Sequence, residues 1–331
     1  MDFGVIGAVL STLIANAYDY SDPAVFEKIK AETGIEYQHY YALPKCIRAF
    51  QGDHCLPTAY VDAVEKGEPY ISLWRAEKMV NDGLDRKAEE LLKQVDKTHP
   101  GMSRVKWLLA KNLFFRSDQM PEDAIDEKDR FLTEGVGYAR ECLDIAPNDI
   151  NCHLNLATLL GRWSTNQGIL KGAFNAEEVR DAMLTASRTD QHYRYPSGNT
   201  ARGASYYALG IFYRLAPDSF FIELFFGVRG NVDTSIAYFK RARTTKTDQI
   251  ELYTELAASQ FCKAERDDSV EAASDARKSV SVCQSIKAKS GLDRISQGDC
   301  ARLLADPSLG CGYSRDRQQE TDVEKFKELK Q

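Results

Sequence analysis

The chain has 331 residues and a formal net charge of −6, with 43% hydrophobic and 28% charged side chains, 21 glycines and 10 prolines. That is apolar content enough for one large or two ordinary domains, with too little glycine, proline and unbalanced charge for bulk disorder. With no basic excess to neutralise phosphates, the composition argues against nucleic acid as the main partner.

The first stretch, from Val5 to Ile14, is a short apolar run followed by Ala15-Asn16-Ala17. An apolar core before a small-x-small site fits a secretory signal peptide over residues 1–17. The run is too short to span a bilayer comfortably. Its one departure is a leading segment with Asp2 and no Lys or Arg, so a first buried helix is the competing reading. No later stretch is long and apolar enough for a transmembrane segment after cleavage.

Residues 18–68 read as an N-terminal cap. A helix is expected after Ser21-Asp22-Pro23, running to about Thr33. An aromatic stretch with Tyr37, Tyr40 and Tyr41 follows, and then a loop that Cys46 and Cys55 would close.

A repeat is legible over residues 69–284. Ala76 and Met79 take first-helix positions, and Gly83, Ala88, Leu92, Val95 and Pro100 follow at second-helix spacings. Trp107, Leu109, Ala110 and Leu113 open a second unit, closed by Gly135, Ala139, Cys142 and Pro147 at the same steps. Leu156, Ala157 and Leu160, then Glu177, Ala182 and Ala186, make a third. The fourth is the clearest: Tyr206-x₂-Leu209-Gly210-x₂-Tyr213, then Gly230-Asn231 and Ser235-x₃-Phe239-x₂-Ala242. Leu256, Ala257, Ala272 and Ala276 carry a fifth. Positions three and four apart share a helix face, and small residues there let paired helices approach closely. This is the pattern of tetratricopeptide (TPR) hairpins. The expected fold is an all-α, TPR-like solenoid of about five helical hairpins, with a C-terminal cap and tail over residues 285–331.

Three hairpins depart from the regular pattern. Residues 117–132, 164–176 and 214–229 are long insertions between the two helices of units two, three and four. Insertions at one repeat position fall on one side of a solenoid, often the binding side. The third contains Phe220-Phe221-Ile222-Glu223-Leu224-Phe225-Phe226-Gly227. Four phenylalanines in a soluble protein call for cover. Most of these rings are expected to fold back and fill the groove of their own solenoid. Trp163, Tyr206, Tyr213 and one or two of Phe220, Phe221, Phe225 and Phe226 are the candidates to line a cleft or meet a partner. Arg162 and Arg202 are candidates to hold an anionic group there.

The even set of eight cysteines fits disulfides in an oxidising compartment. Cys46–Cys55 and Cys142–Cys152 are local pairs, the second joining one helix end to the next helix start across Pro147. Cys262 and Cys283 would sit a helix length apart at 1.5 Å per residue, so Cys283 is expected to pair within the C-terminal segment. The connectivity of Cys262, Cys283, Cys300 and Cys311 stays open. Small apolar packing is the competing role for cysteines in such a core, and Cys142 stands at one of those positions. No metal-ligand spacing is present, and His54-Cys55 and Cys152-His153 are only adjacent pairs. No nucleophile elbow, phosphate-binding loop or dinucleotide fingerprint occurs, and the five histidines make no catalytic set, so no catalytic residue or cofactor is expected.

Two family resemblances attach to these residues. The run from Leu143 to Asp149, the run Leu160-Gly161-Arg162-Trp163, Arg202-Gly203 ahead of the Tyr206 helix, and Leu215-Ala216-Pro217 are similar to divergent TPR proteins. Over residues 138–264 the chain resembles the T component that accompanies tripartite ATP-independent periplasmic (TRAP) transporters. That resemblance implies a periplasmic, non-enzymatic scaffold that associates with a solute-binding protein. The Leu160-Gly161-Arg162-Trp163 run also resembles a eukaryotic TPR family linked to microtubules and mitochondria, which the cysteine usage fits less well. The expected function is an exported TPR scaffold that binds a protein partner. The alternatives are a carrier with a hydrophobic small-molecule cleft between the insertions, a cytosolic TPR adaptor and, last, an enzyme.

Overall fold

The computed structural model describes residues 24–35, 56–121, 123–167, 169–245, 249–288 and 291–313. Expectations for the signal peptide, the Tyr37–Tyr41 stretch and the Cys46–Cys55 pair fall outside these residues. The described chain is all helical. In order, α1 is Ala24–Thr33, α2 Thr58–Lys66, α3 Tyr70–Asn81, α4 Asp85–Thr98 and α5 Ser103–Asp118. Next come α6 Ile125–Ile145, α7 Ile150–Gln167, α8 Ile169–Arg188, α9 Ala201–Leu215 and α10 Phe220–Phe226. The last five are α11 Val232–Thr245, α12 Ile250–Asp267, α13 Val270–Ser285, α14 Gly291–Ala305 and α15 Leu309–Gly312.

Five antiparallel hairpins account for most of the packing: α3 with α4, α5 with α6, α7 with α8, α9 with α11, and α12 with α13. The chain divides into two compact units. The first takes Met1–Pro100 and Arg194–Gly198, and the second takes Gly101–Tyr193 and Asn199–Gln331. The first hairpin therefore clusters with the N-terminal helices rather than with the other four. In that unit Phe26, Ile29, Tyr60 and Trp74 form one core, the Tyr60 ring standing edge-on to Trp74 at 5.5 Å.

In the second unit the first helices adjoin one another, α5 on α7, α7 on α9 and α9 on α12, while each second helix also packs on the next first helix. The small residues of the repeat explain this closeness. A Cβ on Gly210 would lie 2.6 Å from the Phe239 ring, and one on Gly135 2.7 Å from Leu159. Ser235, in α11, donates to the Gly210 carbonyl at 2.7 Å and lies 3.1 Å from the Ser259 hydroxyl of α12. Three helices thus meet over two hydroxyls and a glycine, and each buried hydroxyl there has a partner.

Two of the expected insertions are not loops. Helix α5 runs to Asp118 and α6 begins at Ile125, while α7 and α8 run to Gln167 and from Ile169. The extra residues lengthen the helices. Phe131 and Leu132 continue the buried stripe of α6, with 5% and 0% exposure, so about two further turns are held by packing. Only the third insertion leaves the hairpin, and it carries α10.

Among the described residues three disulfides join the helices. Cys142–Cys152 links the end of α6 to the start of α7, with the Cα atoms 5.4 Å apart, as the sequence suggests. Cys283 pairs with Cys300 of α14, and Cys262 with Cys311 of α15. Helix α14 packs on α12 and α13, where a sixth hairpin would begin, and covers the end of the stack.

Candidate functional site

The hairpin of α9 and α11 displays a helix between its arms. Pro217 and Gly230 pinch the insertion at its base. The Gly230 amide donates to the Pro217 carbonyl at 3.0 Å, and the Asn231 amide donates to Tyr213 at 2.8 Å. A Cβ on Gly230 would meet the Ala216 carbonyl at 1.8 Å, so only glycine fits this crossing. Asn231 then caps α11, its Oδ1 accepting the Thr234 amide at 2.8 Å. Between these points α10 ends at Gly227 in the left-handed conformation, a helix stop that glycine adopts freely.

Ion pairs hold the insertion against its neighbours. Asp218 accepts from Arg229 at 2.6 Å and from Arg266 of α12 at 2.8 Å. These hydrogen bonds keep the Asp218 carboxyl below its ordinary range, Arg229 contributing most. Glu223 lies 3.6 Å from Arg229. At the far end Arg180 of α8 donates to the Gly227 carbonyl and to Glu177 and Asp181.

What the tether holds out is apolar. Phe220, Leu224 and Phe225 are 63%, 62% and 74% exposed, and Phe174 of α8 is 77% exposed. Phe226 stands edge-on to Phe174 at 5.4 Å, which joins the two helices into one apolar patch. Phe220 and Phe225 therefore do not fold back to fill the solenoid's own groove. The side chain of Phe221 lies outside the description. Phe174, Leu224, Arg180 and Asp218 complete the site and were not among the sequence candidates. A lone aromatic in a polar insertion was the only signal for Phe174.

The remaining candidates take up internal roles. Arg162 pairs with Asp118 at the end of α5, their side chains 12% and 11% exposed, so its anion is part of the protein. Arg202 donates to the Thr189 carbonyl. Each arginine thus has an acceptor within the chain, a carboxylate for Arg162 and a backbone carbonyl for Arg202. Tyr206 and Tyr213 stack on Tyr238 of α11 at 6.2 and 5.7 Å. Burial and the neighbouring Tyr238 raise the Tyr213 phenol above its ordinary value. Trp163 and Tyr213 are partly buried against the core of α6, α7 and α8. Among the described residues no cluster of His, Cys, Asp and Glu offers a metal site. No helix there is long and apolar enough to cross a membrane.

The family model described as regulator of microtubule dynamics protein 1-3 matches residues 73–306, more than half of the chain. The chain belongs to that family. The match takes in all of α4 to α14 and most of α3, so α10 and its tether lie within the family's own region. It agrees with the resemblance carried by Leu160-Gly161-Arg162-Trp163. Among solved structures the chain is similar to a thermophilic TPR protein of Thermus thermophilus. That likeness has 13% identity and a TM-score of 0.42, and covers 61% of this chain and 86% of the other. No curated protein matches the chain by sequence.

Proposed function

We propose that the chain is a non-enzymatic TPR scaffold that works in an exported, oxidising compartment and binds a protein partner through α10. The observation that carries this is the exposure of Phe220, Leu224 and Phe225 on a helix tied down at both ends. Fully burying a side chain of this size contributes about 1.5–3 kcal/mol. A helix that is already ordered loses little freedom on binding, so most of that gain reaches affinity. Asp218, Glu223 and Arg229 make a charged rim around the rings, which suits orientation more than strength. The occupant we assign is a protein with an apolar groove rather than a small oily ligand, because Phe220, Leu224 and Phe225 are each more than half exposed.

Three disulfides support the compartment, since such bonds form and persist outside the cytosol. The family name speaks of microtubule dynamics, which would require action in a reducing compartment. We therefore assign the partner to the exported space, where the TRAP resemblance suggests a solute-binding protein. Two measurements test this. Non-reducing intact mass of the exported protein should lack residues 1–17 and retain its disulfides. A photo-crosslinker at position 225 should capture one partner that the same group at the exposed Glu271 of α13 does not. Equal capture at both positions, or co-sedimentation of the reduced protein with polymerised tubulin at matching affinity, would remove the reading.

A further inference from the structure

The first-helix layer of hairpins four and five is already occupied, by the chain's own residues 309–313. Arg214 stands near the end of α9 and Glu255 on the adjoining α12, with side chains 1% and 5% exposed, and the guanidinium donates to the carboxylate at 2.6 Å. The other guanidinium arm, Nη1, donates to the backbone carbonyl of Tyr313 at 2.5 Å. The Tyr313 ring lies over the guanidinium at 5.4 Å, and its hydroxyl donates to Asp299 of α14 at 2.9 Å. Behind it, Gly310 presses on α12 so closely that a Cβ would lie 2.7 Å from Phe261 and 2.8 Å from the Cys262 amide. The Nε of Arg214 is buried without a hydrogen-bond partner among the described residues.

A short segment, a buried aromatic anchor and an arginine that bonds the segment's backbone are the parts from which a peptide site can be built. We propose that the α9–α12 face is a second binding site, distinct from α10, for a peptide segment that presents a tyrosine after small residues. The site is closed by the chain's own copy of that segment and gated by the Cys262–Cys311 disulfide.

The gate is selective because its sulfurs are within reach. Cys142, Cys152, Cys283 and Cys300 are all 0% exposed, whereas Cys311 is half-buried, so a small thiol meets Cys311 first. Two thiols supply the two electrons. One attacks Sγ of Cys311 and releases Cys262 as a thiolate; the second attacks the sulfur of the first in that mixed disulfide and releases Cys311 as a thiolate. The small thiols leave joined as a disulfide, and their two protons end on the cysteine sulfurs. Once the disulfide is cut, residues 309–313 are held to the face only through their backbone link to α14, and a partner segment competes more readily for Arg214 and Asp299.

The probe is a labelled, amidated peptide of residues 306–313 with Ser in place of Cys311. The protein is the full chain, oxidised, compared with its Cys311→Ser/Tyr313→Ala variant, in which the internal segment is both untethered and weakened. Fluorescence anisotropy should give saturable binding to the variant and at least about tenfold weaker binding to the oxidised wild type. Replacing the tyrosine of the peptide by alanine should cost about tenfold or more, as expected for losing a ring and a hydrogen bond to a carboxylate. A variant with native helical content and its other disulfides that binds no peptide would overturn the proposal, as would equal binding by the oxidised wild type. Stepwise thiol titration of the wild type with differential alkylation covers the case of a variant that does not fold. Cys262 and Cys311 should be alkylated first, with faster amide exchange over residues 309–313. Earlier opening of either buried pair, or unchanged exchange after the tether is cut, sinks the idea. Either failure leaves the crosslinking at position 225 untouched, so the two proposals fall separately.

Discussion

The same hairpin holds a contact with no slack in it and a helix left largely in solvent. Where α9 meets α11, Gly210 faces Phe239 with no room for a methyl group, and Phe239 is fully buried. A few residues on, α10 leaves Phe220 and Phe225 mostly in solvent. Both segments are rich in aromatics, so hydrophobicity alone does not separate them. What separates them is whether a helix face repeats every three to four residues against a neighbour, as α11 does, or is bracketed by Pro217, Gly227 and Gly230 and turned outward. The first kind of aromatic holds the fold, and the second is available for recognition.

Substitutions at the two kinds of site should therefore behave oppositely. The largest loss of stability is expected for Phe239→Ala, about 3–5 kcal/mol for removing a fully buried ring, read from chemical denaturation with the slope unchanged. Arg214→Ala belongs in the same range, about 3–5 kcal/mol, because it strands Glu255 at 5% exposure without its cation. A loss below about 1 kcal/mol at either position would mean that these contacts do not organise the hairpin stack.

Gly230→Ala sharpens the comparison from the side of the insertion. The added methyl meets the Ala216 backbone carbonyl, and the crossing must open, at a cost of about 1–3 kcal/mol. Amide exchange should rise over α10 more than over α11. By contrast, Phe220→Ser and Leu224→Ser together should change stability by no more than about 0.5 kcal/mol per site, while capture of the partner by the crosslinker at position 225 is lost. If those two changes melt the protein instead, α10 is part of the core and the division fails.

The smallest effects are in pH. Asp218 has a folded carboxyl below its ordinary range, so its support for the α10 tether is complete above the unfolded value and lost as pH falls through the lower folded one. Exchange at α10 should rise below about pH 4 before the helix core responds. Tyr313 runs the other way. Burial first, then Glu255 and Asp299, raise its phenol far above the ordinary value. Its contribution is complete below about pH 10 and is lost as pH rises beyond that, so the C-terminal segment should loosen in alkali while α10 stays in place. Absorbance of the ionised phenol against segmental exchange would check the order.

The sequence by itself determined the repeat. Small residues at fixed steps, such as Gly135, Ala139 and Cys142 or Gly210 and Ala242, are legible because close helix packing needs them wherever the hairpin occurs. It also marked the third insertion as a place of interest and Cys142–Cys152 as a local bond, since both depend on neighbours in the chain. Tertiary structure alone decided that Phe220 and Phe225 stay mostly in solvent, on a helix held by Arg180 and Arg266 from other hairpins. The partner of Cys262 was settled the same way, by a segment returning from 49 residues away. So were the fates of Arg162 and Arg202, which sequence cast as ligand-binding and which packing paired with Asp118 and Thr189. Periodicity is a property of adjacent residues and can be read from them. Which distant charge reaches an arginine first is a property of the folded chain.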